Sequence, residues 1–200
     1  YSLRAAQEST ELYDWNGRAL GAEASIQLYS DDRNKANEIL DNTQKIINKY
    51  EGMFSLYKEK SLVSQLNKFG TLSNPSPDFI KLVMLSKKFS KITNGSFDIS
   101  VQPLWNVYKN HFNEEVSGVL KEKINAVLGN IGSNKISLGQ KYISFDNDNM
   151  AVSFNGIAQG YITDKVSEYL SGQGFNHVLV DIGEYRANGS QKNGEPWRVG

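Results

Sequence analysis

The chain predicts an α+β fold in which helices pack against an antiparallel sheet, and three observations carry that expectation. Apolar residues recur at three- and four-residue spacing through Ala36, Ile39, Leu40, Ile46, Ile47, Tyr50 and Phe54, the period of a long amphipathic helix. Short alternating segments at 135–138, 141–145 and 150–154 are separated by Gly-Gln and Asp-Asn-Asp-Asn turns, the pattern of an antiparallel meander. No internal repeat, low-complexity run or interdomain linker interrupts them.

In chain order, residues 1–13 carry little pattern and read as a mobile segment or a lead-in helix, with 1–16 set apart from a domain over 17–200. Residues 24–29 alternate Ala24, Ile26 and Leu28 against polar neighbours, as a half-buried strand does. Asp31 and Asp32 offer an N-cap to the long helix, whose pattern breaks over 51–57. Ser61 starts a short helix with Leu62, Gln65, Leu66 and Phe69 on one face, followed by a Pro/Ser/Asn loop. Pro77 opens the next helix, with Phe79, Leu82, Val83, Leu85, Ser86, Phe89 and Ile92 inward, and Asn94-Gly95 closes it. Residues 96–101 then lead into a strand-like run and form a candidate pocket wall. A helix is expected over 116–131, with Leu120, Ile124, Val127, Leu128 and Ile131 on one side. After the meander comes Ser153-Phe154-Asn155-Gly156-Ile157-Ala158-Gln159-Gly160, where a β-like approach stops at glycine and a helix begins. A buried strand over 177–182, a hairpin beyond Gly183 and a last strand starting at Trp197 complete the pattern.

Composition narrows the function classes. The 200 residues contain 22 basic and 22 acidic side chains, and no basic cluster points to nucleic acid or an anionic surface. Without cysteine there is no disulfide, thiolate metal site or cysteine nucleophile. No run of about eighteen apolar residues and no signal-peptide layout is present, and a chain opening on Tyr1 is compatible with a removed export signal or lipid anchor. His111 and His177 stand apart from any Ser or carboxylate at suggestive spacing and read as structural or surface residues. No zinc-hydrolase or P-loop pattern occurs. The Gly156 turn before a helix suits a phosphate, whose charge free helix N–H groups would meet, and equally suits an ordinary strand-to-helix connection. Asp98 either holds backbone N–H groups or faces a ligand; Tyr57 and Phe97 either stack on a planar ligand or join the core.

Five blocks in register add a resemblance. They are Leu20-Gly21-Ala22; Phe54-Ser55-Leu56-Tyr57 with Ser61 and Asn67; Gly95-Ser96-Phe97-Asp98-Ile99-Ser100-Val101 with Pro103-Leu104-Trp105; Asn155-Gly156-Ile157-Ala158-Gln159-Gly160-Tyr161 with Asp164; and Gly183-Glu184 with Gly194 and Trp197. From about Gly17 to Gly200 the chain resembles the FAD:protein FMN transferases, the ApbE family. The resemblance implies a T-fold-like α+β architecture of tandem αβ units with FAD in the cleft between them. It also implies a Mg²⁺-dependent transfer of FMN from FAD to a Thr or Ser hydroxyl of a partner flavoprotein, releasing AMP. By the same resemblance Leu20 and Tyr57 are flavin-side contacts, Ser96, Phe97 and Asp98 form a second FAD-binding segment, Ser153 and Gln159 touch FAD, and the carbonyl of Gly156 is a metal ligand. No catalytic base is assigned. A periplasmic or cell-envelope location is implied, with membrane anchoring through an N-terminus absent from this chain. An FAD pyrophosphatase and a flavin-binding protein without turnover are the alternatives.

Four departures from the family pattern stand out. Leu20-Gly21-Ala22 replaces Met-Gly-Thr, and Gln159 stands where lysine is common, removing a positive charge near the phosphates. Ile182-Gly183-Glu184 replaces a glycine pair before the acidic residue and is similar to the branch linked to nitrous oxide respiration. The family's carboxylate and hydroxyl metal ligands fall beyond Gly200, so the C-terminal part is expected to be missing and the metal site incomplete.

Overall fold

A computed structural model describes residues 10–109, 111 and 117–199. The first half of the chain forms β1 (Glu11–Ala19), β2 (Ala22–Ser30), α1 (Arg33–Phe54), α2 (Leu62–Phe69), β3 (Thr71–Ser73), α3 (Pro77–Ile92) and α4 (Gln102–Lys109). The second half forms α5 (Gly118–Leu128), β4 (Ile136–Leu138), β5 (Tyr142–Phe145), α6 (Ala158–Gly172), β6 (Val178–Asp181) and β7 (Tyr185–Asn188). Two compact units result, one from Tyr1–Tyr50 with Gln159–Gly200, the other from Glu51–Ala158. The fold is α+β, with antiparallel sheets packed by helices.

The first unit holds a four-stranded sheet in the order β1-β2-β6-β7, every neighbouring pair antiparallel. Ala24, Ile26 and Leu28 of β2 are buried on one face, and all of Val178, Leu179 and Val180 in β6 are buried. A Leu or Ile so enclosed contributes about 1.5–3 kcal/mol relative to exposure. β1 corrects the reading of residues 11–16 as part of a lead-in: they pair with β2 from Glu11↔Ser30 to Ala19↔Ala22 across the two-residue turn Leu20-Gly21. That turn needs positive φ at both positions, and they have 51° and 87°. The expected lead-in over residues 1–9 lies outside the described residues. Asp32 caps α1 as expected, its carboxylate accepting from the N–H groups of Asn34 and Lys35 at 2.9 and 3.0 Å. α6 is tied to β7 by Asn188 Nδ2, which donates to the hydroxyls of Ser167 and Ser171.

The second unit is built around Phe54, Phe79 and Phe154, each at most 1% exposed, with ring centroids 5.4–5.9 Å apart. Its sheet has the order β3-β5-β4. The third strand of the expected meander is therefore β3, from the Pro/Ser/Asn loop region, and residues 150–154 form no ladder. They keep the strand-like alternation, with Met150, Val152 and Phe154 buried, but their backbone finds other partners.

Several local expectations also change. α1 continues through Phe54, past the break expected at Glu51. α2 buries Val63 and Leu66 and leaves Phe69 65% exposed, because the unit's core lies one position round from the face expected in sequence. Phe89 and Ile92 of α3 are likewise exposed. The strand-like run after Ser96 is a 3₁₀ turn over Ile99–Val101 leading directly into α4. On α5 only Leu120 is buried, and the expected start at Val116 lies outside the described residues. Trp197 begins no strand; its indole N–H donates to the carbonyl of Asn188 and its ring lies against Tyr29.

Candidate functional site

The second unit contains a cavity of about 510 Å³ with walls from three parts of the chain. One wall is the segment after α3, with Gly95, Ser96, Phe97 and Asp98. A second is the turn before α6, with Ser153, Asn155 and Gly156. The third is apolar, from Val101, Leu104 and Trp105 opposite Leu128 and Ile131.

α3 ends where Asn94 and Gly95 both take positive φ, 51° and 82°, and the Gly95 N–H reaches back to the carbonyl of Ser90 at 2.8 Å. The reversal delivers Ser96 and Phe97 to the cavity, and the Phe97 ring stays anchored edge-on against Phe89, centroids 6.1 Å apart. The opposite wall hangs from the core. Phe154 is fully buried, and its carbonyl accepts from the N–H groups of Ile157 and Ala158 at 2.9 and 2.7 Å, so Asn155 and Gly156 bulge outward between two buried anchors. A Cβ on Gly156 would lie 3.3 Å from Cε2 of Phe97, which puts the two sequence blocks in direct contact. The Ser153 N–H also donates to the carbonyl of Ile99 at 2.8 Å, joining the walls through their backbones.

Asp98 is the knot of the first wall. One carboxylate oxygen accepts from the Ser100 N–H at 2.8 Å and the Ser100 hydroxyl at 2.6 Å. The other accepts from the Ser133 N–H at 2.7 Å and the Ser90 hydroxyl at 3.3 Å. Both oxygens are thus engaged in holding α3, the 3₁₀ turn and the 132–135 turn together. The Ser100 hydroxyl in turn accepts from the Gly132 N–H at 2.7 Å. Behind this network, Lys87 Nζ donates to the carbonyls of Ser133 and Ile136. Burial pushes the Lys87 ammonium below the usual lysine range, against the opposing pull of Asp146 and Asp98. A neutral amine retains two N–H donors for two carbonyls, so the contact outlasts its charge.

The structure therefore gathers Ser96, Phe97, Asp98, Ser153 and Gly156 around one cavity. Tyr57 belongs to the same unit but is 77% exposed and does not line that cavity. Leu20 and Gln159 belong to the other unit. Leu20 is the first residue of the β1–β2 turn, and Gln159 follows Ala158 in the first turn of α6. Gly183, at φ 78°, leaves the space the Gln159 amide occupies: a Cβ there would sit 2.1 Å from Nε2. Sequence reasoning assigned no role to Trp105, Leu128 or Ile131. Trp105 lay inside a recognised block, whereas Leu128 and Ile131 fitted a helix's core face and only their neighbours reveal them as cavity lining.

The histidines keep to structural surroundings: His177 Nδ1 accepts from the Ser190 N–H at 3.1 Å, and His111 Nε2 lies 3.0 Å from Lys123 Nζ. Among the described residues no three or more His, Cys, Asp or Glu side chains converge as a metal site. The Gly156 carbonyl offers one hard oxygen, which by itself does not constitute a coordination sphere.

Comparison with known proteins matches residues 20–200 to the ApbE family model. An FAD:protein FMN transferase of Haemophilus influenzae is 26% identical over 213 residues, covering 99% of this chain and 60% of the relative. The structure of flavin transferase ApbE from Vibrio cholerae superposes with a TM-score of 0.81 at 25% identity, over 96% of this chain and 63% of that one. That of the Pseudomonas stutzeri flavinyl transferase ApbE in its apo form gives 0.81 at 23% identity, over 95% and 63%, a likeness of fold. The chain thus spans about three fifths of the length of the relatives it matches.

Proposed function

The chain belongs to the ApbE family, and from that premise we propose that it serves in transferring FMN from FAD to a Thr or Ser hydroxyl of a partner flavoprotein, with release of AMP. The observation that carries this reading is the shared cavity: the 96–98 block and the 153–156 block, 55 or more positions apart in sequence, meet around about 510 Å³ with an apolar aromatic side and an exposed-backbone side. Such a space suits a planar ring on Phe97 and Trp105 and a polar group on the Gly156 turn. The Haemophilus influenzae relative named above as an FAD:protein FMN transferase supports the same chemistry.

In the proposed reaction the acceptor hydroxyl oxygen bonds to the phosphorus nearer the flavin. The bond from that phosphorus to the bridging oxygen breaks, and AMP leaves with that oxygen while the hydroxyl proton passes to solvent. The part of this chain is to bind and orient the donor: Ser96, Phe97, Asp98 and Ser153 at the cavity, with the resemblance implying Leu20 and Tyr57 as flavin-side contacts and Gln159 as a further FAD contact. Asp98 acts there by shaping the wall, since both its oxygens are taken. Magnesium dependence belongs to the same proposal and rests on the resemblance, with the Gly156 carbonyl as this chain's contribution. Among the described residues no three or more His, Cys, Asp or Glu side chains converge beside it, and no step is assigned to the ion. A cell-envelope setting also rests on the resemblance; among the described residues no helix is long and apolar enough to cross a membrane.

The test is incubation of the purified protein with FAD, Mg²⁺ and a threonine-bearing acceptor protein. Flavin fluorescence that stays with the denatured acceptor, with AMP in equal amount and loss of both on chelation, is the expected result. Free FMN with AMP points instead to a pyrophosphatase, FAD binding without products to a non-catalytic role, and transfer that persists in excess chelator removes magnesium from the proposal.

A further inference from the structure

Asn67 lies outside the cavity and in none of the roles above, yet its side chain makes a two-bond contact with a single distant residue. Its Nδ2 donates to the carbonyl of Val152 at 2.8 Å, and its Oδ1 accepts from the Val152 N–H at 2.7 Å. One side-chain amide thereby satisfies both backbone groups of a residue 85 positions away, as a neighbouring strand would. The anchor is itself rigid. Ser61 caps α2 by accepting from the Ser64 N–H at 3.1 Å, Gly70 ends it at φ 66° with its N–H on the carbonyl of Leu66, and Val63 and Leu66 are fully buried.

The next residue, Ser153, starts the cavity wall, and its N–H binds the carbonyl of Ile99 on the opposite wall. A neighbouring β-strand would satisfy the same groups of Val152 but would extend the ladder to Phe154, the next residue on that edge, whose carbonyl instead accepts from Ile157 and Ala158 to form the turn that faces the cavity. A single amide holds the segment at one residue and leaves the turn beyond it open. We propose that Asn67 is a positioning residue for the ligand cavity, acting through Val152 to hold the Ser153–Gly156 wall at its distance from Phe97. This rests on the reading of the cavity as the FAD site.

The experiment compares the parent chain with Asn67→Leu, which removes both bonds, and Asn67→Asp, which keeps the acceptor and loses the donor. Amide exchange at Val152 and Ser153 and FAD affinity are measured on each. Asn67→Leu should raise exchange at both amides by about tenfold or more and weaken FAD binding by about tenfold, with Asn67→Asp between it and the parent. Exchange in β2 should not change. Unaltered protection at Val152, or altered protection with parental FAD affinity, overturns the proposal; the second result would make Asn67 a purely structural residue. If Asn67→Leu fails to fold, Asn67→Asp decides the same question on the Val152 carbonyl alone, and parental affinity in it overturns the proposal. A parent chain that does not bind FAD refutes the functional reading and the ligand role of Asn67 with it, a result distinct from a variant that binds like its parent.

Discussion

β2 and residues 150–154 show the same alternation of buried and exposed side chains, Ala24, Ile26 and Leu28 in one and Met150, Val152 and Phe154 in the other, but only β2 is a strand. β2 has a ladder on each side, to β1 and to β6. The 150–154 segment has the Asn67 amide and the Ile99 carbonyl. Alternation reports that one side of an extended chain is buried. It says nothing of what satisfies the backbone, and that difference separates a stiff sheet from a wall whose backbone can meet a ligand.

The largest expected effect tests the ladder side of this comparison. Leu28→Ala, at a fully buried position paired with Val178, should cost about 2–5 kcal/mol in chemical unfolding, because the sheet on both sides limits collapse into the space. A loss under about 1 kcal/mol would mean that β2 is no more tightly specified than the 150–154 segment. Asp98→Ala tests the side-chain-held region. It strips the Ser100 and Ser133 N–H groups of their acceptor and should cost about 1–3 kcal/mol, with FAD affinity falling several-fold through the displaced wall. Unchanged FAD affinity would reduce Asp98 to a cap with no bearing on the cavity.

The smallest effect is a pH dependence at Lys87. Its folded-state pKa is depressed, chiefly by burial, so between that value and the ordinary lysine range the unfolded chain binds more protons than the folded one. Stability relative to Lys87→Met should therefore rise as pH increases across that alkaline window and level off above it. Unfolding midpoints of the two proteins over that range measure it, and a difference that is flat or falls with pH would show that the ammonium is better accommodated than its burial implies.

Legibility in the sequence followed the range of the interactions involved. α1 with its Asp32 cap, α2 with Ser61, α3 with Pro77 at its start, and β6 were readable because capping geometry and periodicity are local. β1 was missed although Tyr13, Trp15, Gly17 and Ala19 alternate, since its aromatic-polar mixture looks weak until β2 is placed beside it. The exposed faces of Phe69, Phe89 and Ile92 were misread for a related reason: a helix's apolar stripe can point at a core or at open surface with the same spacing.

The cavity divides along the same line. Five blocks in register carried the resemblance to the family, and the stretches at 96–98 and 153–156 gave the residue types of two walls, because turns and caps are written in adjacent residues. Tertiary structure alone decided that Asp98 spends both oxygens on Ser90, Ser100 and Ser133, that Leu128 and Ile131 line the cavity, and that Asn67 takes the place of a strand beside Val152. Each of those outcomes depends on which distant group arrives within hydrogen-bond or van der Waals reach, and no spacing along a single chain segment encodes that distance.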